Sequence, residues 1–345
     1  MIPAAPFDAL RDTAQSHTST ATANEYMSQI KRLLGEALPV LEQTLERMSS
    51  RGPKPLDEAA QQLVLAGGKR VRPVTTLLVA RACKGDVARA VPLAAAVELL
   101  HSATLLHDDV IDEGDERRGR PASRVLWGNL VSVLSGDLLL TSALELVHES
   151  GIEGAIPDML STMQRLIAGE VAQLKARGRE DLGIDGYLEI ARGKTAALFS
   201  NACRAGARVG RMPPAMIEAM GQFGEHVGIA FQIVDDVLDL EGIPHEVGKR
   251  LGHDLAEGKT TLPLALALKH DAEALRPLLI AARAGDTLAA ARVSQASSVR
   301  NACNEARAFA ERETELGLQQ LHALEPSDER DLLAMLVRGL IERRA

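Results

Sequence analysis

The sequence predicts an all-α protein, and three observations carry that prediction. Only 2% of the 345 residues are aromatic and the strand-forming types rarely cluster, whereas Ala, Leu, Glu, Arg and Gln favour helix. Beyond the first two dozen residues, apolar side chains recur at spacings of three and four. Glycines and prolines cut the chain into about ten to twelve pieces of ordinary helix length.

In chain order, residues 1–24, including SHTSTATAN, are polar and aperiodic and read as a loose arm. Residues 25–345 then read as one helical domain. Leu33, Leu34, Leu38 and Leu41 mark its first helix. Later boundaries are expected at Gly67–Gly68, Gly85, Gly114 with Gly119 and Pro121, the Gly151 to Pro157 stretch, Gly183 and Gly186, and Pro213–Pro214. Further ones are expected at Gly242–Pro244, Gly258, Pro263 and Pro326. No linker rich in Pro, Ser or Gly divides the chain.

Composition excludes several classes. A net charge of −8 argues against a general nucleic-acid binder. Cys83, Cys203 and Cys303 are scattered, which points to a reducing compartment and no metal cluster. The start MIPAAPFDALRDTAQSH lacks the basic and apolar regions of a secretory signal, so a cytoplasmic protein is expected. The richest apolar run, VLWGNLVSVLSGDLLL at 125–140, is interrupted by Asn129, Gly136 and Asp137. No stretch therefore reaches the ~20 residues that span a bilayer, and no transmembrane segment is expected.

The chemistry concentrates in two acidic motifs. HDDVID at 107–112 carries Asp108, Asp109 and Asp112, and VDDVLD at 234–239 carries Asp235, Asp236 and Asp239. Spacings of three and four place these carboxylates on one helical face. Gly114 and Gly242 follow closely, so each cluster lies near a helix C-terminus, where the macrodipole costs ~0.3–1 kcal/mol per carboxylate. A cation removes that cost, and an oxygen-only donor set suits Mg²⁺ or Mn²⁺. The Asp-x-Asp-x-Asp-Gly pattern of a calcium loop is absent. A solvated helix end explains one such cluster as well as a metal site does, but not two behind similar apolar runs.

Cations stand beside these carboxylates. GGKRVRP supplies Lys69, Arg70 and Arg72, GDERRGRP supplies Arg117 and Arg118, GKTA supplies Lys194 with Thr195, and residues 248–264 supply Lys249 and Lys259. Alone, each basic group reads as a solvated face. Beside carboxylates and glycines, together they read as an anion site of the kind a metal-bridged diphosphate would use.

With these segments in order, the chain from about residue 28 onward resembles the trans-isoprenyl diphosphate synthases of the polyprenyl synthetase family. GGKRVRP, LLHDDVIDEGDERRGRP, GD at 136–137, GKTA, FQIVDDVLD, GKTTLPL and LEPSDERDLLAML carry the resemblance. It implies an all-α bundle around a deep central cavity, a homodimer, and Mg²⁺-dependent head-to-tail joining of isopentenyl diphosphate to an allylic diphosphate. It implies that Asp108 and Asp112, supported by Asp109, bind metal on the allylic diphosphate. It implies likewise that Asp235, with Asp236 and Asp239, completes a cluster of three metals. Lys69, Arg72, His101 and Arg118 are implied to hold isopentenyl diphosphate, with Arg70 counted among the substrate-binding residues. Arg117, Lys194, Lys249 and Lys259 are implied to contact the allylic diphosphate, and Thr195 and Gln232 to lie near the reacting carbons. His107 reads as structural. Arg250 departs from the family, which often has an acidic or amide residue there.

The resemblance also bears on product length. One turn before the first motif, where family members that stop early carry bulky aromatics, this chain has Ala103 and Thr104, with Leu100 beyond. A helical turn rises about 5.4 Å, close to one extended isoprene unit, so each open turn admits roughly one more unit. The two-residue spacer in DDVID also resembles long-chain synthases. A product of about C30 to C50, centred on about C40, is expected on that scale. Leu138, Leu139 or Leu140 is either the cavity floor or plain core. A geranylgeranyl or farnesyl synthase and a non-catalytic subunit of a heteromeric synthase are the alternatives. A terpene cyclase is disfavoured by the second VDDVLD, GGKRVRP and Arg118.

Overall fold

The computed structural model describes residues 20–341 except 118, 180 and 242–252. Among the described residues there are fifteen α-helices, and the only sheet is a two-residue hairpin pairing Glu116–Arg117 with Arg120–Pro121. The all-α expectation is met. The helix number exceeds it, because some boundaries, such as that at Ala296, carry neither Gly nor Pro.

Helix α1 (Thr20–Leu34) begins inside the segment expected to be a loose arm. Thr20 to Asn24 contain no breaker, so the helix extends N-terminally past its first apolar residue. Next come α2 (Ala37–Ser49), α3 (Leu56–Leu65), α4 (Val71–Ala82) and α5 (Val87–Ile111). Asp86 caps α5 by accepting from the Ala88 N–H at 3.0 Å. Helix α5 is the centre of the bundle. Its run of Ala94, Ala95 and Ala96 is fully buried, and the small side chains let neighbouring helices approach closely.

Helix α6 (Ser123–Glu149) runs straight through Asn129, Gly136 and Asp137, the residues expected to interrupt it. Gly136 is a packing residue here, since a Cβ would stand 2.3 Å from His107 Nε2 on α5. The kink lies instead at Gly128, whose φ of 84° favours glycine. As a result, α5 and α6 are each long and apolar enough to cross a bilayer, contrary to expectation. The apolar stretch of α5 is 72% buried inside the bundle and that of α6 only 44%. Burial marks α5 as a core helix and leaves an open apolar face on α6.

The chain continues through α7 (Ala155–Ala176), α8 (Gly183–Ala191), a π-helical turn (Arg192–Ala196) and α9 (Ala197–Val209). Then follow α10 (Pro214–Glu241), α11 (His253–Ala256), α12 (Leu262–Arg283), α13 (Thr287–Gln295), α14 (Ser297–Gln320) and α15 (Asp328–Ile341). One buried apolar cluster joins α1, α2, α4, α5 and α9, and a second joins α8, α10, α12 and α14. Of the two long helices that bear the acidic motifs, α5 lies in the first cluster, and α10 contributes Met220, Phe223 and Val227 to the first and Ile229, Ile233 and Val237 to the second.

Candidate active site

Both acidic motifs lie where predicted, at helix C-termini. Asp112 is the C-cap of α5, its N–H bonded to the Asp108 carbonyl at 2.8 Å, and Asp235, Asp236 and Asp239 fall in the last turns of α10. Two lysines tie them into one site. Lys194 Nζ stands 3.7 Å from Asp108 Oδ2, and its side chain shares a pocket with Gln232 and Asp236 of α10. Lys259 Nζ stands 3.7 Å from Asp112 Oδ2 and 3.5 Å from Asp254, whose N–H donates to Asp239 Oδ2 at 3.2 Å. That pocket is about 610 Å³ including its open mouth, and Gln173, Tyr187 and Thr195 also line it.

Local backbone devices place the cations. Lys194 and Thr195 occupy the π-helical turn, a form that recurs at functional sites. That turn sits directly on α7, because a Cβ at Gly169 would come within 2.6 Å of the Lys194 nitrogen. Glu170 is thereby brought to 2.5 Å from Lys194 Nζ. Thr195 Oγ1 donates to Gln232 Oε1 at 2.5 Å, and Gln232 Nε2 donates to Asp236 Oδ1 at 2.7 Å, so the two predicted neutral residues form one half-buried chain with the second motif.

Several predicted residues take other posts. Arg70 is 2% exposed and faces inward, donating to Glu42, to Glu98 at 2.8 Å and to the Val64 carbonyl at 2.7 Å. With its guanidinium taken up by Glu42, Glu98 and the Val64 carbonyl, it braces the loop and is not placed as a substrate contact. Asp109 is buried and its Oδ1 accepts from Arg117 Nε at 2.9 Å, which makes it the anchor of that arginine. Lys69 is exposed at the start of α4, and His101 is half-buried on α5, seven residues before Asp108. Leu100 and Ala103 are buried, Thr104 is half-buried, and none of the three lines the pocket. Leu139 is fully buried in the core, whereas Leu138 is half-buried and packs over Gly52. His107 faces the Val133 carbonyl at 3.2 Å and Asp137 at 3.4 Å, a structural post as expected. Arg118, Lys249 and Arg250 lie outside the described residues.

Sequence reasoning missed Glu170, Arg177 and Asp254. Arg177, at the end of α7, pairs with Asp112 Oδ1. Arg177 lies in the charged run KARGRED at 175–181, which reads as a solvated face, and only the meeting of α7 and α11 with the motifs brings the three in.

The electrostatics are those of a site short of positive charge. Burial raises Asp108 to about 6; Lys194 opposes this, Glu170 and Asp112 add to it, and Arg117 again opposes. Burial, with Asp254 nearby, likewise holds Asp236 well above the usual carboxylate range despite the Gln232 hydrogen bond. Burial alone would lower Lys259, but Asp254 and Glu257 outweigh it and raise the ammonium above its ordinary value.

The residues fit a divalent metal. The donors are oxygens only, and buried Glu170 Oε1 has no hydrogen-bond partner. Among the described residues no three His, Cys, Asp or Glu side chains stand close enough to hold an ion by themselves.

Comparison with known proteins agrees with this geometry. Residues 53–299 match the family model described as polyprenyl synthetase. The chain is 36% identical over 307 residues to a short chain isoprenyl diphosphate synthase of Methanothermobacter thermautotrophicus, covering 88% of this chain and 94% of that one. It is 38% identical over 286 residues to an all-trans-nonaprenyl-diphosphate synthase of Rhodobacter capsulatus, covering 82% and 88%. A Caulobacter crescentus polyprenyl synthase, solved with calcium and isoprenyl diphosphate, superposes with a TM-score of 0.86 at 34% identity, over 92% of this chain and 98% of that one. Relatives thus span short and long products. The chain belongs to the polyprenyl synthetase family, whose members are prenyltransferases that make trans-polyprenyl diphosphates.

Proposed function

We propose that this chain is a long-chain all-trans polyprenyl diphosphate synthase, with a product of about C30 to C50 and most of it near C40, on the scale of one isoprene unit per open helical turn. The observation that carries the catalytic reading is the placement of Lys194 and Lys259 between the two acidic motifs. The long product rests on the resemblance, since Ala103 and Thr104, one turn before the first motif, are small where early-stopping members carry bulky aromatics.

On this reading Asp108, Asp112 and Asp235 hold the metal, three Mg²⁺ with Mn²⁺ as a substitute. When bound, the metal supplies positive charge to the departing diphosphate. Lys194, Lys259 and Arg117 hold the allylic diphosphate and stabilise the negative charge that develops as its C–O bond breaks. Lys69, Arg72 and His101 orient isopentenyl diphosphate so that its double bond attacks the allylic cation. Thr195 and Gln232 stand beside the reacting carbons, and the proton released leaves with the diphosphate. No side-chain nucleophile is needed.

We also infer a cytoplasmic homodimer. Leu126, Leu130 and Leu134 of α6 and Ile167, Val171 and Leu174 of α7 present exposed apolar side chains. A face of that kind marks an interaction surface. The three free cysteines, all buried, are in keeping with a reducing compartment.

The test is incubation of the purified chain alone with isopentenyl diphosphate, Mg²⁺ and allylic primers of several lengths, with chromatography of the products. Polyprenyl diphosphates near C40 are expected. Accumulation of C15 or C20 would replace this reading with a short-chain synthase, and no product at all would favour a subunit that needs a partner.

A further inference from the structure

Arg72 sits in the first turn of α4, and its guanidinium carbon lies 4.4 Å from the ring centroid of Phe199 on α9. Phe199 is 1% exposed and follows Thr195 by four residues, one helical turn from the π-helical segment. The same ring packs on Phe231, with centroids 5.5 Å apart and planes at 48°, and Phe231 immediately precedes Gln232. One buried ring therefore joins the helices that carry Arg72, Thr195 and Gln232.

The backbone leaves that ring little room to shift. A Cβ at Gly224 of α10 would stand 2.4 Å from the Phe199 carbonyl oxygen, and one at Gly206 of α9 would stand 2.6 Å from the Thr76 oxygen of α4. Both glycines let α9 lie against its neighbours at close range, so the ring is held from two sides. An aromatic face attracts a guanidinium through its quadrupole, and it does so without occupying the in-plane N–H donors that recognise an anion.

We propose that Phe199 is a positioning residue, whose ring holds the Arg72 guanidinium ready for the diphosphate of isopentenyl diphosphate. It sets the affinity for that substrate and not for the allylic one. This rests on the reading of Arg72 as an isopentenyl diphosphate ligand.

The test is a double-mutant cycle on the full chain, using Phe199→Leu, Arg72→Gln and the pair, with KM measured for each substrate. Phe199→Leu should raise KM for isopentenyl diphosphate about 3- to 30-fold, the span of a cation–π contact. KM for the allylic diphosphate and kcat should stay within about twofold, and the double variant should be no worse than Arg72→Gln. Phe199→Met, a second ring-free variant, should behave like Phe199→Leu and covers poor folding of either. Equal rises in both KM values, or a full further rise in the Arg72→Gln background, would reduce Phe199 to core packing. A raised isopentenyl KM in Arg72→Gln beside an unchanged one in Phe199→Leu overturns the positioning role alone. An unchanged isopentenyl KM in Arg72→Gln overturns the reading of Arg72, and the positioning role with it.

Discussion

Asp108→Asn should lower turnover at least about a hundredfold and, in metal-free buffer at pH 8, raise the Tm of the chain. The two effects have one cause. Burial lifts Asp108 from 3.8 to about 6, with Glu170 and Asp112 adding to the lift against Lys194 and Arg117. A carboxyl whose folded value lies above its unfolded value takes up a proton on folding. Its ionised form therefore destabilises the fold fully above about pH 6, and the penalty fades as pH falls through the window between about 6 and 4. The amide removes the charge and keeps the shape, so the gain at pH 8 is about 1–3 kcal/mol, or ~1–4 °C in Tm. At pH 4 the gain should vanish. Thermal scans with and without EDTA, beside steady-state rates, check both halves. A variant less stable at pH 8 than at pH 4, relative to the parent, would contradict the electrostatic cause.

Product length should respond to α5 one turn before the motif. Ala103→Tyr should shorten the main product from about C40 to about C15–C20, on the scale of about one isoprene unit per helical turn. Ala103 is 1% exposed in the packed core, so the larger side chain carries an overpacking cost of about 1–3 kcal/mol. Thr104 is half-buried, with its hydroxyl returned to the His101 carbonyl at 2.8 Å, which makes Thr104→Phe the milder version of the same block. Condensation should persist in both, because neither residue is read as a ligand of the metal or of either diphosphate. Chromatography of the radiolabelled products gives the answer. An unchanged distribution in Thr104→Phe, with turnover intact, would move the growing chain to a different wall.

The all-α class and both acidic motifs were legible because charge gathered at helix ends is a local signal. Asp108 and Asp112 need only their own helix to share a face. Arg70 shows where local reading stops. In GGKRVRP it is indistinguishable from Lys69 and Arg72, and only Glu42 and Glu98, twenty-eight residues away on either side, draw it inward. Gly136 misled for the same reason, since its role is to admit His107 from another helix. Glu170 was invisible because its meaning comes from Lys194, set against it by the close approach of Gly169 and the π-helical turn. Contacts between helices thus decided what spacing within one helix could not.

The paired motifs are read as a site that binds diphosphate only through metal. Calorimetric titration of inorganic diphosphate into the purified chain, with and without Mg²⁺, tests that most directly. Binding is expected only when Mg²⁺ is present, and it should be lost in Asp108→Asn and in Asp235→Asn alike. Equal affinity in EDTA, or full Mg²⁺-dependent affinity in either variant, would contradict a shared metal site spanning α5 and α10.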